Sequence, residues 1–566
     1  MRSSSSLLQT LRASEPDDGK VSRRHGPLKA GVRRYRRRAT LFCPRAKAVQ
    51  TIGYHDSIQQ VGKERFVISR PTKKALLGSV FSGLGNQYAG ALITGIGQFI
   101  VTAILARLLT PEDYGLFGLA AVYVGLASIL SQFGVAAALV QRDELTPRYV
   151  RAGFTVSVLT GVLTTALVWF TAPLAASVLG SPHLTPIIRG LSLAFVLGNP
   201  GFVAEGLSQR KLAWRRLMWV EVTAFVLGYA LPGLALAAAG YGVWALVGSA
   251  LAQSFVRTVA LLKLEPHPKW PRVGPEIREL LRFGSGFTLA RTFNYAAFQG
   301  DNLIVGRVLG IVALGYYNRA FKLMMILVTY FATVVTRVLF PIMSRLQNDP
   351  DRLRSTYLTG AAVLGLVSAP LGAILVVLAP EFVLVVLGPK WTATILPFQI
   401  LTAGIMLRNV YLMAYCLDGA LGALRRRTVR DGVYALAVLI GSLIGTRFGL
   451  VGVATGVVIA IGVNYLVGAA MSLSLLKATW RQYARSQVPA VLLGVLTAAV
   501  AYAIRWGLLE AGAGPFLVLG VTGIVSLAAI GGLCFVRPTV MGEYGGSAVR
   551  HFVSAVDARF NPDRAS

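Results

Sequence analysis

Ala106-Arg107-Leu108-Leu109, then Gly115-Leu116-Phe117 and Ala120, return two hundred residues later as Gly306-Arg307-Val308-Leu309, Gly315-Tyr316-Tyr317 and Ala320. Arg, Leu, Gly and Ala recur at identical offsets. Each copy is flanked by apolar sequence and falls at the turn between the first and second apolar segments of a block of six. Both blocks therefore start on the same side of a membrane and run in the same direction. Parallel six-helix repeats related by an axis along the membrane normal are a transporter architecture, with the substrate path between the halves.

Working outward from the repeat, the apolar segments centre on 85–107, 115–139, 152–179, 185–205, 218–239, 242–262, 284–306, 314–340, 357–386, 393–418, 431–446, 450–475, 487–508 and 514–536. Each is near the roughly 20 residues a helix needs to cross about 30 Å of hydrocarbon. The runs are long, Leu/Ala/Val/Gly-rich and uninterrupted, which predicts helices; barrel strands would alternate polar and apolar over roughly ten residues. The expected fold is an all-α polytopic membrane protein of about fourteen helices: two six-helix repeats and two appended helices. Of the 566 residues, 54% are hydrophobic and 14% charged, with a mean hydropathy of +0.61. Soluble domains carry about 25% charged residues, so a cytosolic enzyme, a disordered chain and a secreted disulfide scaffold are excluded.

The net charge of +32 asks for a partner, and the placement of the charges answers. Counted along the connections with an internal N-terminus, the even-numbered ones carry 22 Lys or Arg and the odd-numbered ones four, Arg107, Arg307, Lys390 and Arg447. That alternation is the positive-inside pattern, which puts both termini in the cytoplasm and makes the basic residues a belt against membrane lipids, with no nucleic-acid groove. Residues 1–75 hold 18 Lys or Arg against 5 Asp or Glu and no apolar run long enough for a signal peptide, so they read as a disordered basic cytoplasmic arm. The other readings of this arm are a cleaved transit peptide or an over-extended start, with the true one near Val61 or Val67. The expected organisation is then an N-lobe over 76–263, a cytoplasmic linker over 264–283, a C-lobe over 284–476, an appended helix pair over 477–537 and a cytoplasmic tail over 538–566.

Longer motifs now bear on the family. Gly300-Asp301-Asn302-Leu303-Ile304-Val305-Gly306-Arg307-Val308-Leu309-Gly310 with Ala313-Leu314-Gly315-Tyr316-Tyr317-Asn318-Arg319-Ala320, Ala106 through Gly115, and Leu339-Phe340-Pro341-Ile342-Met343-Ser344-Arg345-Leu346-Gln347 together resemble the polysaccharide-transporter family of the multidrug/oligosaccharidyl-lipid/polysaccharide flippase superfamily. The resemblance spans roughly residues 75–475. It implies movement of an undecaprenyl-diphosphate-linked oligosaccharide across a bacterial inner membrane by alternating access. A polysaccharide polymerase and a chain-length regulator would be its partners. The basic arm lies outside the family pattern.

Ionisable groups inside a span are costly and mark candidate sites. In the seventh segment Arg291, Asn294, Phe298 and Asp301 fall at i, i+3, i+7 and i+10 along one stripe, flanked by Gln299 and Asn302. A diphosphate head calls for multiply donating cations, and guanidinium offers a planar fork, so Arg291 leads and Arg408, mid-span in the tenth segment, follows. Asp301 is expected to pair with Arg291 or Arg307, or to take up H+ or Na+ as the coupling group. Arg319 and Lys322 are further phosphate or sugar candidates, although from the external end of their segment both could reach the interface instead. In the first half the polar set is Asn86, Gln87, Gln98, Gln132, Gln141, Asn199 and Glu205; its uncharged amides, Gln98 and Gln132 among them, suit sugar hydroxyls and at least equally suit bonds between helices. Glu205 and Glu221 are expected to pair with the basic loop Arg210–Arg216, and Arg107 and Arg307 to tie loops to helix ends.

What is missing also discriminates. No GxxxxGK[ST] phosphate loop occurs, which excludes ATP hydrolysis within this chain. None of the five histidines is mid-span and the three cysteines are dispersed, so neither a metal nor another cofactor is expected. The rival readings are a multidrug/cation antiporter of the same superfamily, which would want an acidic cavity, and a membrane polymerase or glycosyltransferase. The short connections leave no room for the large external loop such an enzyme needs, so no catalytic residues are expected.

Overall fold

The computed structural model describes residues 94–132, 134–142, 145–268, 270–271, 273–281, 295 and 299–546. The expected arm, Arg291 and Asn294 lie outside the described residues. Within them the chain is helical, with no strand.

The first half contains α1 (Thr94–Leu108), α2 (Pro111–Gln132), α3 (Val135–Gln141), α4 (Pro147–Leu179), α5 (Leu184–Gly198), α6 (Gly201–Arg210), α7 (Trp214–Ala238) and α8 (Val243–Leu264). The second contains α9 (Ile311–Arg345), α10 (Pro350–Val377), α11 (Ala379–Val386), α12 (Ile395–Ala403), α13 (Ile405–Ala420), α14 (Leu424–Gly445) and α15 (Gly449–Leu476). The appended pair is α16 (Trp480–Glu510) and α17 (Pro515–Val536). Among the described residues eight stretches are long and apolar enough to cross a membrane, or up to ten if each bent pair counts as one span. One of these, Arg425–Leu476, runs through both α14 and α15. The protein is a multi-pass membrane protein, while the full count of fourteen stays an expectation.

The helix boundaries follow from local chemistry. Thr146 accepts a hydrogen bond from the Tyr149 amide ahead of Pro147, and Asp349 caps α10 ahead of Pro350 through the Arg352 amide. Thr479 and Gln482 close a reciprocal capping box on α16. The break between α5 and α6 is a 48° bend at Asn199 and Pro200, where proline removes an amide donor. In α7 a wide π-helical stretch, Ala224–Ala230, precedes Pro232, whose missing N–H likewise interrupts the α-helical ladder.

At one end of the bundle the repeat becomes a contact. A Cβ on Gly115 would lie 1.9 Å from the Ile311 carbonyl oxygen, and a Cβ on Gly315 would lie 1.9 Å from that of Pro111. Residues 111 and 311, like 115 and 315, are equivalent by the offset of the repeat. The starts of α2 and α9 therefore cross backbone to backbone about a local two-fold, which only glycine permits. Around this crossing Trp391, fully buried, donates from Nε1 to the Ala106 carbonyl at 2.8 Å and meets Tyr114 and Tyr316 edge-on. Arg107 donates to the Val385 carbonyl beside Gly388, while Arg307 lies beside Gly180; both glycines have positive φ at helix ends. The expectation that these arginines tie loops to helix ends holds for Arg107. This end is closed.

The opposite end carries the basic turns. Arg142 pairs with Glu279 at 2.5 Å, Arg210 donates to the Leu139 and Arg142 carbonyls, and Lys211 pairs with Glu265. The linker is thus not free: a short helix at 275–281 docks on the first half, with Leu280 buried among Val135, Leu139 and Leu145.

Candidate functional site

Among the described residues a cavity lies in each half between the closed crossing and the basic end. The larger, about 470 Å³, belongs to the second half and is lined by Thr329 and Thr336 of α9, Arg408, Tyr411 and Tyr415 of α13, Arg427, Asp431 and Tyr434 of α14, and Asn464 of α15. A smaller space lined by Thr336, Tyr415, Gly419 and Arg427 extends it toward the basic end.

Its charges are not balanced. Arg427 stacks on the Tyr415 ring at 3.9 Å and approaches Asp431 at 3.7 Å, which in turn accepts from the Tyr411 hydroxyl. Arg430 pairs with the buried Asp418 and also approaches Asp431 at 3.7 Å. Arg408, by contrast, forms no ion pair among the described residues; it hydrogen-bonds Tyr434, lies 5.7 Å from the Phe321 ring centroid, and leaves one terminal nitrogen without a partner. A guanidinium held this way costs several kcal/mol unless an anion or water completes it. Sequence reasoning found Arg408 and missed Arg427 and Asp431, because the Arg425–Arg427 run was assigned to a loop. The i, i+4 spacing of Arg427 to Asp431 and of Tyr411 to Tyr415 was the available signal.

The neighbouring polar set surrounds Asp301. Its carboxylate accepts from the Tyr317 hydroxyl at 2.7 Å and the Asn302 amide at 2.8 Å. Asn302 extends the chain, donating to Gln299 at 2.9 Å and accepting from Asn318 at 3.2 Å. The expected pairing with Arg307 does not occur, since Arg307 is exposed at the closed end beside Gly180. Arg408 is the cation whose field reaches Asp301. Asp301 and Asn302 are each 2% exposed, so this is an interior network.

Arg319 does not reach for the interface. It is buried, its guanidinium lies 3.6 Å from the Tyr114 ring centroid across the two halves, and its Nε has no partner. Lys322, one turn on, is exposed. Gln132 is half-buried at the last residue of α2 and lines neither cavity. Asn199 bonds Ser131 and Thr160, as a residue joining helices should.

Gln98 lines the cavity of the first half, about 430 Å³, with Glu205, Gln209, Trp214, Glu221 and Gln253. Its two carboxylates do not pair with the basic loop Arg210–Arg216 as expected. Both are bound by Arg257 of α8, at 3.1 Å to Glu205 and 2.8 Å to Glu221, whereas Arg210 and Lys211 are engaged elsewhere.

The family profile described as polysaccharide biosynthesis protein matches residues 104–396, a stretch that contains both copies of the repeat and the α2–α9 crossing. The chain belongs to that family. Among its relatives, the lipopolysaccharide biosynthesis protein WzxC of Escherichia coli (strain K12) is 28% identical over 76% of this chain and 88% of its own length. The teichuronic acid biosynthesis protein TuaB of Bacillus subtilis (strain 168) is 26% identical over 56% of this chain and 66% of its own, and the succinoglycan biosynthesis transport protein ExoT of Rhizobium meliloti (strain 1021) is 25% identical over 61% and 72%. Two solved structures share the fold of this family member. The lipid II flippase MurJ, in an inward closed conformation, superposes with a TM-score of 0.66 at 14% identity, covering 80% of this chain and 99% of that one. An inward-facing multidrug resistance MATE family transporter of the MOP superfamily gives 0.53 at 17% identity, covering 67% and 94%. The expected all-α fold is therefore observed, shared with these two structures.

Proposed function

We propose that this protein carries an undecaprenyl-diphosphate-linked oligosaccharide across the bacterial inner membrane by alternating access, as a transporter without a catalytic step. The observation that carries the reading is Arg408, a cation without an ion pair among the described residues, in a cavity of a membrane protein whose relatives are named for polysaccharide biosynthesis and its transport. The guanidinium would receive the diphosphate, with Arg427 and, from the sequence, Arg291 completing the cationic path. We place the basic end in the cytoplasm with both termini, so the cavities would face the leaflet where the lipid-linked sugar is made. Asp301 is our candidate for H+ or Na+ coupling, since a buried carboxylate can return empty only after taking up a cation. A polymerase and a chain-length regulator would take the product on the far side.

The test is Arg408→Ala in the native host. Surface polysaccharide should fall more than tenfold and the lipid-linked intermediate accumulate, at unchanged amounts of protein in the membrane. Undiminished polymer removes Arg408 from the site and with it the support for this reading.

A further inference from the structure

We infer that the cavity of the first half is a saccharide subsite, which receives the glycan while the diphosphate is held by Arg408 in the second half. The inference rests on the flippase reading and adds where the uncharged part of the cargo sits. Its basis is a division of chemistry between the two cavities. The second-half cavity holds the unpaired guanidinium. The first-half cavity is the reverse: two carboxylates line it, Glu205 and Glu221, and both share the one cation Arg257, so the three groups together carry one negative charge. A diphosphate would be repelled from it.

What remains free there is neutral and bifunctional. Gln98 and Gln253 have no protein partner among the described residues, and each offers one acceptor and two donors. A sugar hydroxyl, which both donates and accepts, is the complement of such an amide. Trp214, Phe225 and Tyr229 supply flat apolar surface on the same wall for the C–H face of a pyranose.

The backbone is built to present these groups. The π-helical stretch Ala224–Ala230 carries both Phe225 and Tyr229, whose rings stack at 5.9 Å. Within it Gly228 lets α7 close on α8, since a Cβ there would stand 2.5 Å from the Gln253 Cα; this fixes Gln253 at the cavity wall. Gly97 of α1 leaves room for the Phe225 ring, one residue before Gln98. A wide helical turn interrupts backbone pairing, and such turns recur at functional sites.

The experiment measures binding to purified full-length protein in nanodiscs with three probes: undecaprenyl diphosphate, the same lipid bearing one glucose, and tetraphenylphosphonium. Wild type should bind the glucosylated lipid about tenfold more tightly than the bare one. Gln98→Ala with Gln253→Ala should erase that increment and leave bare-lipid affinity unchanged, which also shows that the variant is folded. Arg408→Ala should weaken both lipids alike. An increment that survives the double substitution overturns the subsite, as does a wild type that binds both lipids equally. Tetraphenylphosphonium binding that is lost in Glu221→Gln would make the cavity an organic-cation pocket and overturn it too. Failure of wild type to bind either lipid instead contradicts the flippase reading itself.

Discussion

Buried charge in this protein takes two forms with different consequences. Arg430 and Asp418 pair at 1% and 2% side-chain exposure, with Asp431 a more distant second carboxylate at 3.7 Å from Arg430, so removing Asp418 takes away the buried partner. Asp418→Ala should destabilise the protein by about 3–5 kcal/mol, read as a marked fall in melting temperature and membrane abundance. Arg408 lacks such a partner, and its loss should spare stability and abolish transport; melting temperature and polymer yield measured on the same two variants separate the roles. Arg408→Lys keeps the charge and loses the planar fork, so export well below wild type is expected where bidentate contact with phosphate matters. Among the described residues the Asp301 carboxylate has hydroxyl and amide donors and no ion pair, and Asp301→Asn preserves volume while removing the charge. Folding should persist and transport should lose its dependence on the ion gradient, measured as uptake with and without an imposed H+ or Na+ gradient; unchanged gradient dependence removes Asp301 from coupling.

At the scale of elements, most helices were legible in the sequence because apolar runs of membrane length have few other uses, and α4, α8 and α17 lie within a few residues of their expected bounds. Which face a charged turn presents was not legible. The Arg425–Arg427 run looked like a cytoplasmic loop, yet α14 begins at Leu424 and aims Arg427 into the cavity. Likewise Glu221 is paired with Arg257, 36 residues away and closer than nothing in the local sequence could indicate, because helix packing chooses its partner. The linker shows the same limit: the sequence marks 264–283 only as a connection between the lobes, while Ile277 and Leu280 seat the 275–281 helix on the first half. Leu280→Asp should free it, and limited proteolysis should then cut between residues 264 and 283 faster than in wild type. The surface pair Arg142–Glu279 is worth at most about 1 kcal/mol, so Arg142→Ala alone should leave that cleavage rate nearly unchanged.

The whole molecule is organised by the repeat, and here the sequence was most informative. Glycines 115 and 315 were visible as matching letters; their reciprocal contact with Ile311 and Pro111 explains why those letters match. Closure at that end and cavities toward the other describe one state of an alternating cycle, and the Trp391 wedge and the Arg107 clasp are contacts that must part in the other. Gly115→Leu should prevent the crossing from closing, raising thiol labelling of a cysteine placed at Thr110 above that in the otherwise native protein. The central claim is that the ends open in turn around a lipid-linked cargo. Leu119 and Gly306 face each other across the halves, a Cβ on Gly306 standing 2.8 Å from Leu119 Cδ1. The decisive measurement is translocation of an undecaprenyl-diphosphate-linked saccharide between leaflets of proteoliposomes containing Leu119→Cys with Gly306→Cys, in a background lacking the native cysteines. Translocation should proceed in the reduced protein, stop on oxidation and resume on reduction, whereas equal translocation with the crosslink formed would contradict the account.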